Sequence, residues 1–137
     1  MTTLSPADLP AFLRRFQFAG GRVNRVRLKY QSDGLLTVDV IVLVRPKIQN
    51  LDDSTRPKRL RLRFGGVDEF RFQKRLAQGS GKITDARLGY LDGRFFLNLD
   101  AFGLDPKDVP KIHDYRASDA YLAGRSVEWE TIEKPET

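Results

Sequence analysis

The chain has 137 residues, with 24 Lys or Arg against 18 Asp or Glu, one His and no Cys. That length fits one domain with a real hydrophobic core; the missing thiols exclude disulfides and thiolate metal sites, and a lone His leaves too few ligands for an imidazole centre. No run approaches the ~20 apolar residues of a membrane span, and Pro6, Asp8 and Pro10 interrupt the N-terminal stretch where a signal peptide needs unbroken apolar sequence, so the expected compartment is the cytoplasm.

In chain order, Ser5-Pro6-Ala7-Asp8 reads as a helix start: a capping hydroxyl, a proline at the first position and an acid in the first turn. Leu9, Phe12, Leu13 and Phe16 then form one apolar face of a short helix, and Gly20-Gly21 is expected to end the segment. From Arg22 the period becomes two. Val26, Leu28 and Tyr30 alternate with Arg25, Arg27 and Lys29, which predicts a half-buried strand with a basic outer face. Ser32-Asp33-Gly34 is a turn signal. In Leu35–Val44, Val38, Val40, Val42 and Val44 take one face and Thr37, Asp39, Ile41 and Leu43 the other, so the later part of this strand is expected to be covered on both sides.

Residues 45–57, bracketed by Pro46 and Pro57, read as a long exposed loop or hairpin end. The strand Lys58–Phe64 turns Leu60, Leu62 and Phe64 inward and Arg59, Arg61 and Arg63 outward; Gly65-Gly66 permits a bulge or bend, and Glu69–Gln73 resumes with Phe70 and Phe72 inward. Gln78-Gly79-Ser80-Gly81 is a turn. Within ARLGYLDGRFFLNLDAF, Asp92-Gly93 fits a two-residue type I′ turn. It sets a register in which Tyr90 faces Phe95, Leu88 faces Leu97, Ala86 faces Leu99, Arg87 meets Asn98, and Phe96 covers the bare Gly89. Asp105–Pro110 is a proline-rich connection, Ser118–Gly124 is expected to form one or two helical turns, and Val127, Trp129 and Thr131 alternate with Ser126, Glu128 and Glu130 in a last strand.

Candidate chemistries are few. His113-Asp114 has two members of a Ser–His–Asp arrangement, but no G-x-S-x-G turn supports a nucleophile. Gly79-Ser80-Gly81-Lys82 resembles the end of a phosphate-binding loop, yet Leu76 and Ile83 stand where that loop needs a glycine and a hydroxyl residue. LDDST lacks the spaced ligand pattern of a calcium loop. No feature favours a carboxylate pair for sugar hydrolysis. The expectation is therefore no enzyme, no metal and no cofactor.

The basic segment 56–75 remains. It holds eight Lys or Arg and two acids, and the 16 basic and 16 acidic residues elsewhere cancel, so this strip carries the whole net charge of +6. Period two places Arg59, Arg61 and Arg63 on one face and every aromatic of the segment on the other, whereas sheet surfaces that bind nucleic acid combine cations with aromatics on one face. Arg59, Arg61, Arg63 and Arg71 are the candidate partner-binding residues, and Asp39, Glu128 and Glu130 are candidate ion-pair partners for this face. A nucleic-acid-associated protein using the basic face is the alternative to a protein-binding one.

Two stretches, RVNRVRLKYQSDGLLTVDVIV and LRLRFGGVDEFRF, resemble small uncharacterised bacterial β-sheet proteins, one group of which resembles immunity proteins of polymorphic toxin systems. The likeness covers roughly residues 17–73, with a weaker match through 83–102; residues 110–130 depart from it. The resemblance implies a fold more than a task, and no catalytic residues carry over.

The expected fold is mainly antiparallel β, a β-sandwich or strongly curved sheet of about seven or eight strands with a short N-terminal helix. It is expected as a single domain: a helical lead-in over 1–20, a β-sheet core over 22–132 and a tail over 133–137. The expected function is a non-enzymatic protein-binding domain, with an immunity-like inhibitor of a bacterial toxin as its narrower form.

Overall fold

The structure is a computed structural model that describes residues 1–46, 57–72, 86–99, 111–116 and 120–132. It begins as the N-terminal sequence dictates. Ser5 Oγ accepts from the Asp8 N–H at 3.3 Å, a 3-10 turn spans Pro6–Asp8, and α1 follows over Leu9–Arg15. Pro10 is tolerated in the first turn, where its missing N–H costs no helical bond. The helix stops earlier than the glycine pair suggests. β2 already begins at Phe16 and runs to Tyr30, and Gly20-Gly21 lies inside a bulge between Gln17 and Arg22. Phe16 and Phe18 alternate inward and pack with Phe12, and Phe16 also meets Trp129. Burial of two alternating rings fixes the strand period here, so the lead-in over 1–20 is helical only to Arg15.

The remaining elements are β1 (Thr2–Thr3), β3 (Leu36–Pro46), β4 (Lys58–Val67), β5 (Glu69–Phe72), β6 (Arg87–Leu91), β7 (Arg94–Asn98), α2 (Ile112–Arg116), β8 (Ala120–Gly124) and β9 (Ser126–Ile132). They form two antiparallel sheets. Sheet A has the order β1-β9-β4-β3-β2, and sheet B has the order β5-β8-β7-β6. The fold is mainly β, with one strongly curled sheet and a short N-terminal helix. Nine described strands exceed the seven or eight expected because the sequence reading does not include the short β1 and takes β8 for a helical turn.

The sheets bury their apolar faces in one core. Val38, Val40, Val42, Val44, Leu60, Leu62, Phe64 and Val127 from sheet A are fully buried, as is Leu122 from sheet B, with Leu97 nearly so. The chain passes between sheets at two corners. At the first, the β3–β4 register shifts around Gly65-Gly66, and Gly66 has φ 57, a left-handed conformation that costs glycine little. At the second, Arg125 links β8 to β9, and its N–H donates to the Gly65 carbonyl at 2.9 Å. The two corners therefore brace each other.

In the β6–β7 hairpin, Asp92 and Gly93 both have positive φ, 51 and 77, as a type I′ turn requires. The expected pairs Tyr90–Phe95, Leu88–Leu97, Gly89–Phe96 and Arg87–Asn98 are all present.

Further expectations are corrected. Ala120–Gly124 is strand β8 and not a helical turn; Ser118 and Asp119 lie outside the described residues. β8 runs between β5 and β7 and is covered on both faces, so Leu122 and Ala123 are both fully buried. A strand covered twice shows no polar alternation, and its Ala-Tyr-Leu-Ala sequence then resembles a helix. α2 (Ile112–Arg116) is a helical turn that follows the expected connection and that the sequence reading does not include. Its Tyr115 is buried and stacks on Phe96 at 5.2 Å, closing a second small cluster on the outside of sheet B. Tyr115, and not Phe96, occupies the space above Gly89. The expected loop beyond Pro46, the turn at 78–81 and the connection at 105–110 lie outside the described residues.

Candidate functional site

The outer face of sheet A gathers most of the candidate side chains. Antiparallel register aligns them in rows across the strands. The first row reads Arg27, Asp39, Arg63, Glu128, with charges alternating in sign. The second reads Arg25, Ile41, Arg61, Glu130, and the third Arg22, Leu43, Arg59, Ile132. Charge compensation thus fades from one end of the sheet to the other: two acids in the first row, one in the second, none in the third. Side chains directly opposite each other in a sheet interact most strongly, so the register decides which arginines are neutralised.

The pairs that form are well made. Arg63 Nε and Nη2 donate to the two Asp39 oxygens at 2.8 and 3.0 Å, a bidentate fork. That hydrogen bond, aided by the nearby Glu128 and Glu130, holds the Arg63 guanidinium above its ordinary pKa against the cost of desolvation. Arg61 Nη1 donates to Glu130 Oε1 at 2.6 Å. Both pairs keep partial contact with solvent, so each contributes on the order of 0.2–1 kcal/mol.

Arg22, Arg25, Arg27 and Arg59 make no ion pair among the described residues. Arg22, Arg25 and Arg27 are exposed, while Arg59 is half-buried between Leu43 and Ile132. Near the β2–β3 turn, Arg27, Lys29, Gln31, Thr37, Asp39, Arg63, Ser126 and Glu128 line a groove of about 610 Å³. Among the described residues, the outer rows of sheet A contain no aromatic side chain.

The structure brings Arg59, Arg61 and Arg63 together as expected, but Arg71 stands apart. The corner at Gly65-Gly66 carries it to sheet B, where its guanidinium lies 5.6 Å from the Tyr121 ring. Tyr121 donates to Glu69 Oε1 at 3.4 Å, and Arg94 bridges Asp68 and Glu69 at 2.9 and 2.7 Å. Asp114 Oδ2 accepts from the Lys111 N–H at 2.7 Å, which holds the start of α2; the His113 side chain lies outside the described residues. Among the described residues no three His, Cys, Asp or Glu side chains stand together as a metal site, and no helix is long and apolar enough to cross a membrane.

Arg22, Arg25 and Arg27 were not among the sequence candidates for this site. The signal for them was the turn at Ser32-Asp33-Gly34, which sets the pairing of Arg27 with Asp39 and of Arg25 with Ile41. Comparison with protein-family models, with curated proteins and with solved structures returns no match for this chain.

Proposed function

We propose that this chain is a non-enzymatic binding module that holds an acidic protein on the outer face of sheet A, in the manner of an immunity-like inhibitor that occludes its target. The observation that carries this reading is the fading charge compensation across the three rows, which leaves Arg22, Arg25 and Arg59 without carboxylate partners among the described residues. A fixed sheet presents these cations at set spacings, and complementary charge then supplies specificity and a fast association rate. Occlusion needs no reactive group. The lack of aromatics in the described outer rows favours a protein over nucleic acid, because bases bind sheets by stacking as well as by charge.

The test compares the wild type with an Arg22→Glu, Arg25→Glu, Arg59→Glu triple variant as bait in extract of the source organism. Mass spectrometry identifies what is held, and a purified partner is then titrated with salt. The expected result is one acidic protein retained by the wild type and lost by the triple variant, which unfolds at the same temperature. Equal capture by both proteins refutes the reading. Retention of oligonucleotides at about 0.15 M salt, where the screening length is roughly 8 Å, would make the face a nucleic-acid surface instead.

A further inference from the structure

Among the described residues, sheet A terminates at β2, a strand of 15 residues with β3 on one side only. Residues Arg25–Tyr30 pair with β3 in unbroken register. The Gln31 N–H donates to the Leu35 carbonyl at 2.7 Å, so Gln31, Lys29, Arg27 and Arg25 are the positions whose backbone groups bond to β3. Val26, Leu28 and Tyr30 therefore turn their N–H and C=O groups to the open edge. The side chains there are unusual for an open edge. Leu28 is 45% exposed and Tyr30 76%, on the face continuous with the core, while Arg25, Arg27 and Lys29 project exposed on the other face.

We infer that β2 accepts an added strand along Arg25–Tyr30, and that this strand is an extended segment of the partner with alternating acidic and apolar side chains. The inference rests on the acidic-partner reading above and specifies how that partner docks. An added strand extends each row of the sheet by one residue. The row Glu128, Arg63, Asp39, Arg27 alternates in sign, so its next member is an acid, and an acid is equally matched to Arg25. On the other face, apolar side chains would cover Leu28 and Tyr30. Backbone bonding supplies affinity and the alternating side chains supply selection. A second copy of this chain does not fit the edge. Antiparallel self-pairing of β2 sets Arg25, Arg27 and Lys29 against the same cations, and like charges directly opposite are destabilising. The cations that repel a second copy, a familiar guard of open sheet edges, are the ones that select an acidic strand.

The probe is an end-blocked peptide alternating Glu and Val over about eight residues, a common strand length, read by amide hydrogen exchange of the full chain. The amides of Val26, Leu28 and Tyr30 should exchange freely without peptide and slow by on the order of tenfold at saturation. Those of Arg25, Arg27 and Lys29 should be protected throughout. A Lys/Val peptide, and a Glu/Val peptide methylated on alternate backbone nitrogens, should not bind. Leu28→Pro should fold normally, because the Leu28 N–H makes no bond to β3, and should lose peptide binding. The inference is overturned if the Glu/Val peptide fails to protect the three edge amides, if Leu28→Pro binds it as well as wild type, or if protection appears without peptide as the protein is concentrated. The two readings separate cleanly. A native partner that needs Arg22, Arg25 and Arg59 but leaves the edge amides unprotected sinks strand addition alone. A native partner indifferent to those arginines sinks the acidic-partner reading as well.

Discussion

Gly89→Ala adds one methyl group to β6 at a point where the structure leaves no room for it. The new Cβ would collide with the Tyr115 hydroxyl and lie 3.2 Å from Tyr115 Cζ. Gly89 does not have the positive φ that would make alanine strained, so on backbone grounds the change gains about 0.5–1 kcal/mol. The clash opposes this. Tyr115 is only 3% exposed and stacks on Phe96, so it yields only by giving up that packing. Overpacking costs about 1–3 kcal/mol, and a collision this deep belongs at the upper end, about 2–3 kcal/mol, which leaves a net loss of about 1–2.5 kcal/mol. Tyr115→Phe removes the colliding oxygen and leaves a contact only a few tenths of an ångström too close. In that background Gly89→Ala should cost under about 0.5 kcal/mol, giving a coupling of about 1–2 kcal/mol between the two sites. Urea unfolding of the four proteins, with the midpoint shifting at constant slope, measures it. If Gly89→Ala is as stable as wild type, or if the two changes simply add, then α2 does not seat Tyr115 over the glycine. Coupling to Phe96→Leu in place of Tyr115→Phe would restore the aromatic of the neighbouring strand as the cover.

Leu62→Asp should unfold the protein, because it puts a carboxylate at a fully buried position at a cost of several kcal/mol, roughly 3 or more. Arg59→Asp, on the outer face but half-buried between Leu43 and Ile132, should cost far less, about 1 kcal/mol; equal thermal shifts for both would mean that the phase of β4 is wrong. Burial raises the pKa of the Tyr115 hydroxyl, with Asp114 adding to the rise and Arg87 opposing it. The folded state then keeps this proton after the unfolded chain has released it, so the contribution is fully present below about pH 10, the ordinary tyrosine value, and is lost as pH rises through the folded pKa. Stability measured by urea titration should fall more steeply above that pH in wild type than in Tyr115→Phe, and identical slopes would place Tyr115 in water.

Local signals in the sequence carried much of the fold. Ser5 and Pro6 marked the helix start, Asp92-Gly93 set the hairpin register, and the alternation of Leu60, Leu62 and Phe64 with three arginines set the phase of β4. Each of these depends on residues a few positions apart. β8 was misread because its environment is non-local. Two neighbouring strands and two covered faces erase the alternation that identifies a strand, and nothing within five residues reveals them. Tyr115 over Gly89 was hidden for a similar reason, since the partners are 26 positions apart. The site was half legible. The arginines of β4 were visible as a charge run, and Asp39, Glu128 and Glu130 were foreseen as candidates to neutralise them. Which arginines remain uncompensated depends on rows assembled from four strands, a property that no single segment contains. The same limit applies to Arg71, which belongs to the run in sequence but crosses to sheet B at the glycine corner.

The strand order of sheet A bears on how the chain survives its own synthesis. β9 follows every other described strand along the sequence, yet it lies between β1 and β4. The pairing of Thr2 with Trp129 closes a loop over most of the chain, a contact pattern associated with slow folding. Until β9 leaves the ribosome, one edge of β4 has no partner and Leu60, Leu62 and Phe64 lack part of their cover. Such a segment, alternating and rich in apolar residues, invites pairing between nascent chains. Arg59, Arg61 and Arg63 interrupt it at every second position, as gatekeeper charges do beside unavoidable hydrophobic strands. In the finished sheet Arg61 takes its ion-pair partner Glu130 from β9, whereas Arg63 pairs with Asp39 of the earlier strand β3; until β9 is in place, Arg59 and Arg61 are the charges that guard the open edge of β4.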